Sequence, residues 1–274
     1  MHALENIQHL VIDMDGVLYR GDTAMPRLGE FISFLREESI QFILATNNST
    51  KTPLERVEKL AEMGVTVYPD EILNSGQATA RFLAHEYPIG TRVHVFGTAA
   101  LREALTDERF VIADKDVDLV VASMDRDVTF DKLARASLLI RGGARFIATN
   151  LDPTHPSELG LLPGTGTMIS ALQTASETIP SVIGKPEPTM FDLAMEAMQA
   201  SRANTAMIGD RVDTDILGGK RAGIMTICVL SGSSNRAEAE AVGADLICND
   251  IAELLDIWRP IRQFEIDKTL SGKL

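Results

Sequence analysis

An α/β fold with parallel sheets is predicted for this chain by three observations. Apolar, β-branched runs such as Leu10-Val11-Ile12 and Ala206-Met207-Ile208 alternate with amphipathic stretches of helical length. A glycine recurs where a helix-like stretch gives way to the next strand, in Glu62-Met63-Gly64-Val65, Arg141-Gly142-Gly143-Ala144, Arg221-Ala222-Gly223-Ile224 and Ala241-Val242-Gly243-Ala244. Glycine just past a helix adopts the left-handed conformation that turns the chain back toward a sheet. Four segments follow strand-like runs with polar, small or charged residues, and the carboxyl ends of strands are where open parallel sheets bind ligands.

In chain order, strands are expected near 8–13 and 41–46. The helix after the second carries its own start signal: Thr52 as cap, Pro53 in the first turn and Glu55 completing a capping box. Strands near 92–96, 118–122 and 145–149 then alternate with helices near 98–105, 129–141 and 165–177. Further strands follow near 181–184, 205–209, 224–230 and 245–248. The middle set lacks a polar strand end until Asn150 and Asp152. Residues 82–180 are therefore read as an inserted, smaller α/β unit, and 1–81 with 181–274 as a discontinuous core. The length of 274 residues suits two domains better than one. No short-period repeat or low-complexity segment is seen, and the pattern does not decide the state of the tail beyond Pro260.

A hydrophobic content of 45% and a charged content of 24% are those of an ordinary globular chain with a real core. The net charge of −13 argues against nucleic acid or an anionic membrane as partner, and it means that any phosphate site needs local cations. Cys228 and Cys248 have neither the spacing nor the histidine neighbours of a zinc or redox motif. The first six residues lack signal-peptide character and no apolar run approaches spanning length, so a cytoplasmic protein is expected.

The chemistry is concentrated at the strand ends. Asp13 and Asp15 flank Met14 and precede Gly16; two carboxylates so close repel each other unless a cation lies between them. A hard, oxygen-ligated ion such as Mg²⁺ suits them, although a surface turn with two solvated acids has the same residues. Asp210 directly follows a strand and Gly209 and is read as a metal ligand. Asp215 is read as assisting the metal from further out, and Asp213 as structural. Thr46-Asn47-Asn48-Ser49 offers hydroxyls and amides at a strand end, a place that favours an anion. The same residues equally well form a polar loop feeding the Thr52 cap. Lys185, between Gly184 and Pro186, is the cation that a carboxylate and phosphate cluster needs. His2, His9, His85, His94 and His155 show no metal-binding spacing, and nucleotide-binding glycine loops are absent; Gly164-Thr165-Gly166 reads as a helix entry.

Taken in order, Asp13-Met14-Asp15-Gly16-Val17, Thr46 or Ser49, Lys185, and Gly209-Asp210-Arg211-Val212-Asp213-Thr214-Asp215 resemble the four motifs of the haloacid-dehalogenase-type phosphatase superfamily. Thr46 follows Asp15 too closely to admit an inserted cap there, so the insert lies between Ser49 and Lys185, as in the type-two cap. Its α/β character resembles the NagD and p-nitrophenyl phosphatase branch. Val17 replaces the threonine common elsewhere in the superfamily, a variation this branch tolerates.

The resemblance implies a Rossmann-like core with an inserted α/β cap domain, and a Mg²⁺-dependent phosphatase acting on small phosphorylated metabolites. These range over sugar phosphates, nucleoside monophosphates, phosphoglycolate, glycerol phosphate and pyridoxal phosphate, and the match does not choose among them. It implies Asp13 as nucleophile forming an aspartyl-phosphate, and Asp15 as acid and base. Magnesium is implied on Asp13, the Asp15 main-chain carbonyl and Asp210, with Asp215 assisting. Lys185, the hydroxyl of Thr46 or Ser49 and the amide of Asn47 would bind the phosphoryl group. Asn150 and Asp152 would contact the leaving group from the cap. Association of copies through the cap is left open. Two rival readings are a non-catalytic phosphate- or partner-binding module, against which the retained pair Asp13 and Asp15 weighs, and a phosphotransferase or mutase, which the cap placement disfavours.

Overall fold

The computed structural model describes residues 2–157 and 160–271. It contains two compact units, one of Met1–Ala45, Arg56–Ile72 and Phe191–Leu274, the other of Thr46–Glu55 and Leu73–Met190. The first is built on a six-stranded sheet ordered Leu246–Cys248, Met225–Val229, Thr205–Gly209, His9–Ile12, Gln41–Thr46 and Ile72–Asn74. Pairing is parallel from the first of these through Gln41–Thr46. The register sets Ile12 between Ile208 and Leu44, so Asp13 and the Gly209-Asp210 step leave the sheet together at the carboxyl ends of two adjacent strands. The two catalytic-type motifs, far apart in sequence, are brought together by strand adjacency alone.

Helix Leu28–Glu37 turns Phe31, Ile32, Phe34 and Leu35 inward, the i, i+3, i+4 spacing of one helical face. Helix Ile251–Ser271 packs against it and buries Leu254, Leu255 and Trp258. The Trp258 ring meets Phe34 edge-on at 5.7 Å, and its indole N–H donates to the Leu4 carbonyl at 3.1 Å. That bond answers the cost of burying a polar tip inside an apolar contact. The helix continues through Pro260, so the tail is helical to Ser271; residues 272–274 lie outside the described residues. The expected capping box forms, with the Thr52 amide donating to Glu55 Oε2 at 2.7 Å and the Glu55 amide to Thr52 Oγ1 at 3.3 Å. Gly64 and Gly243 turn the chain with φ of +78° and +73°, as the glycine pattern required.

The second unit holds a five-stranded sheet ordered Ser181–Val182, Arg145–Ala148, Leu119–Ala122, Arg92–Phe96 and Val111–Ile112, parallel throughout. Its core joins Phe96, Val120, Ala122, Phe146 and Ala148 from the strands to Ala136, Ile140, Ile169 and Leu172 from helices Phe130–Arg141 and Thr165–Ser176. The strands near 92–96, 118–122 and 145–149 and both helices fall where the sequence placed them, whereas Val111–Ile112 was not expected. Three further details differ. The strand near 181–184 belongs to this sheet and not to the core sheet, because Ser181 and Val182 pair with Ile147 and Ala148. Helix Ser75–Glu86, most of which precedes the expected boundary at 82, packs against helix Ala99–Asp107 in this unit. An antiparallel hairpin, Thr154–Ser157 with Gly160–Pro163, was not foreseen. Among the described residues, no helix is long and apolar enough to cross a membrane.

Cys228 and Cys248 are both fully buried free thiols in the core sheet. Burial pushes the Cys228 thiol up to about 11 and that of Cys248 up to about 12. Only the thiolate reacts readily, so neither is expected to take up iodoacetamide at pH 8 in the native protein, whereas both should label in denaturant. Rapid native labelling of either thiol, read by mass spectrometry, would contradict this packing.

Candidate active site

In the first unit, carboxylate oxygens of Asp13, Asp210 and Asp215 lie within 4.8 Å of one another. Asp13 follows its strand and is held by a main-chain bond from its amide to the Ile208 carbonyl at 2.8 Å. Asp210 follows the neighbouring strand, and its Oδ2 accepts from the Ser233 amide at 2.7 Å. Asp215 comes from a single π-helical turn, Val212–Ile216, a distortion common at functional sites. Its Oδ2 accepts from the Arg211 amide at 3.1 Å. Asp210 is 2% exposed and Asp215 1%. Three such carboxylates out of water repel each other strongly without a counter-ion. The donor set is all hard oxygen, which fits Mg²⁺.

The surroundings of this group leave no room for side chains. A Cβ at Gly232 would stand 1.9 Å from Asp210 Oδ2, and one at Gly16 2.5 Å from the same atom. A Cβ at Gly209 would stand 2.2 Å from the Asp215 Cβ. Ser231 closes the site further by donating its hydroxyl to the Gly16 carbonyl at 2.7 Å. Asp15 bridges to Tyr19 through the main chain, and its carboxylate is not one of the three clustered groups. Tyr19 is fully buried; burial first, and then the Asp15 charge, raise its phenol far above the usual range. Asp213 is exposed and pairs with Arg211 at 2.8 Å; that hydrogen bond holds it below the usual carboxylate range.

The second unit gathers most of the remaining polar residues expected to act. Asn47 exchanges two hydrogen bonds with the Lys185 main chain, and Nδ2 also reaches Asp152 Oδ1 at 3.3 Å. Asn150, 1% exposed, donates to the Asn47 carbonyl at 2.8 Å, and its Oδ1 accepts from the Asp152 amide at 3.1 Å. Both ends of the Asn150 amide are thus engaged internally, bracing Asn47 and Asp152. Ser49 Oγ shares a 2.6 Å hydrogen bond with Ser123 Oγ. Thr46 Oγ1 accepts from the Asn48 amide at 3.2 Å, which leaves its own hydroxyl proton to donate elsewhere. Asn47, Asn48, Ser49, Asn150, Asp152 and His155 are among the residues lining a cavity of about 40 Å³ in this unit.

Residues not anticipated are Ser75, whose hydroxyl donates to the Asn47 carbonyl at 2.6 Å, and the loop Ser231-Gly232-Ser233. The loop had a signal: it too is a small, polar sequence directly after a strand. Ser75 had none, because a serine opening a helix reads as an ordinary cap residue.

The sequence profile described as haloacid dehalogenase-like hydrolase matches residues 10–111, and a second, HAD-hydrolase-like profile matches residues 182–254. An acid sugar phosphatase of Staphylococcus saprophyticus is 40% identical over 86% of this chain and 92% of its own. The chain is a haloacid dehalogenase-like hydrolase. Within that family it is of the phosphatase type with a cap domain. The crystal structure of 4-nitrophenylphosphatase from Thermotoga maritima aligns with a TM-score of 0.89 at 32% identity, covering 93% of this chain and 99% of that one. Glycerol phosphate phosphatase from Mycobacterium tuberculosis, solved in complex with magnesium, aligns with a TM-score of 0.85 at 32% identity, covering 92% and 77%. The two profile matches to this hydrolase together include Asp13, Asp15, Thr46, Lys185, Asp210 and Asp215.

Proposed function

We propose that this phosphatase hydrolyses phosphate monoesters of small polyols and sugars with magnesium as cofactor, through an aspartyl-phosphate on Asp13. The observation that carries this reading is the acidic group of Asp13, Asp210 and Asp215 at the end of adjacent parallel strands. Its relation to sugar and glycerol phosphate phosphatases supports the substrate class.

Asp13 attacks phosphorus as the ester P–O bond breaks, and Asp15 gives its proton to the departing oxygen. Asp15 then takes a proton from water as that water attacks the aspartyl-phosphate, releasing inorganic phosphate and restoring both acids. The Lys185 ammonium and the hydroxyl of Thr46 or Ser49 hold the phosphoryl oxygens. Asp13, Asp210, Asp215 and the Asp15 main-chain carbonyl are the groups that would hold magnesium. When bound, the ion neutralises charge on the phosphoryl oxygens. Residues 82–180 serve as the specificity cap, with Asp152 accepting hydrogen bonds from leaving-group hydroxyls.

A panel of phosphate esters assayed with magnesium tests the reading. Sugar and polyol phosphates should exceed phosphoglycolate, whose carboxylate would face Asp152. In Asp152→Ala, kcat/KM for a polyol phosphate should fall relative to that for an aryl phosphate by roughly a few-fold to a hundredfold, the worth of one hydrogen bond to a charged group. Equal losses on both substrates would show Asp152 to be structural. Absence of hydrolysis across the panel would return the chain to the binding-module reading.

A further inference from the structure

We propose that the Asn47 side chain is a positioning device for Lys185 and does not itself bind phosphate. This rests on the reading of Lys185 as the cation that meets the phosphoryl group. Asn47 Nδ2 donates to the Lys185 carbonyl at 2.9 Å, and Asn47 Oδ1 accepts from the Lys185 amide at 2.9 Å. Both main-chain groups of one residue are thus matched by the two ends of one carboxamide. An aspartate would lack the donor, and a glutamine would carry the amide one methylene too far. The clamp is buried, with Asn47 6% exposed and Lys185 2%.

Two further observations show that the clamp is built rather than incidental. The Asn47 main chain is itself fixed, its carbonyl accepting from Ser75 Oγ at 2.6 Å and from Asn150 Nδ2 at 2.8 Å. On the other side, a Cβ at Gly184 would stand 2.6 Å from Asn47 Oδ1 and 2.4 Å from the Thr149 carbonyl. Only glycine before Lys185 lets the amide close on the backbone. A lysine ammonium sits on a flexible four-carbon stem, so the position of its Cα sets the region the charge can reach. The second Nδ2 proton points to Asp152 Oδ1, and one amide therefore links the residue assigned to the leaving group with the backbone of the phosphoryl-binding lysine.

The test is a double-mutant cycle between positions 47 and 185, with kcat/KM on an aryl phosphate and competitive inhibition by inorganic phosphate as readouts. Asn47→Ala is expected to lower kcat/KM by about 10- to 100-fold and to raise the inhibition constant for phosphate when Lys185 is present. Where Lys185 is already alanine, the same change should cost less than about twofold. The fall in Tm caused by Asn47→Ala should be the same in both backgrounds, because the clamp grips the backbone and not the ammonium. Asn47→Asp retains the acceptor for the Lys185 amide and should fall between; it carries the cycle if Asn47→Ala does not accumulate as folded protein. Equal fold-losses of kcat/KM in both backgrounds would overturn the proposal. Near-native activity and phosphate affinity of Lys185→Ala alone would remove the Lys185 assignment, and the proposal with it.

Discussion

Asp13→Asn is expected to reduce turnover of an aryl phosphate by about 10³-fold or more, the scale seen when a nucleophile is removed. Acid-quenched protein from that variant should carry no covalent phosphate. Asp15→Asn should behave differently. With p-nitrophenyl phosphate, whose leaving group needs no proton, it should still form the aspartyl-phosphate and accumulate it, because the second step lacks its base. The folded state of Asp13→Asn is not expected to suffer, since one of three clustered negative charges has been removed. Its Tm in the absence of metal should match or exceed that of the parent. Substantial hydrolysis by Asp13→Asn, or a covalent phosphate still found on it, would place the nucleophile elsewhere.

Removal of the divalent ion should abolish activity and lower stability together. A ligand that binds only the folded state at about 100 times its dissociation constant adds about 2.7 kcal/mol. For a chain of this size that corresponds to a rise in Tm of about 5–10 °C. Scanning calorimetry with excess EDTA, and then with magnesium, should show that rise in the parent. Asp210→Asn should show a much smaller one, because it loses a ligand whose other oxygen is fixed by the Ser233 amide. Calcium gives a useful contrast, being larger and less exacting in geometry: it should stabilise the fold while supporting little turnover. Undiminished hydrolysis in EDTA, with metal content verified as nil, would sink the magnesium reading.

Much of this was legible before the coordinates, for physical reasons that also explain the exceptions. Apolar runs and their polar ends identified the strands carrying Asp13, Asp210 and Thr46, because burial on both faces of a parallel sheet leaves a strong local pattern. Which sheet a strand joins is not local. Ser181–Val182 was drawn to the core by its nearness to Lys185, yet its hydrogen bonds run to Arg145–Ala148. Strand Ile72–Asn74 is three residues long, too short to show a period. The hairpin of Thr154–Ser157 with Gly160–Pro163 contains Pro156 and Pro163, residues that argue against strands unless the strands are at edges. At the site, residue types were readable and partners were not. The Asn47–Lys185 bonds span 138 positions, and no sequence pattern announces that an asparagine next to a predicted anion loop will close on a lysine backbone. Asp213 has an ordinary explanation as a helix-start carboxylate, whereas the grouping of the Asp215 carboxylate with those of Asp13 and Asp210 is visible only in the fold.

The glycines around Asp210 and Asp215 carry a consequence for anyone who would reshape this enzyme. Positions 16, 209 and 232 contribute no functional group, yet each is bounded by a carboxylate side chain closer than a methyl group could tolerate. In a saturation library, these three positions should be as intolerant as the aspartates they surround, and alanine should fare little better than leucine. Variation directed at metal preference falls chiefly to the acids themselves, because glycine backbone at these three positions forms much of their surroundings. Diversity has to be sought elsewhere, in side chains such as Asp152 and His155 that line a cavity of their own. The fold thereby separates a part that evolution can hardly alter from one it can retune, and the dividing line is drawn by atoms that are missing.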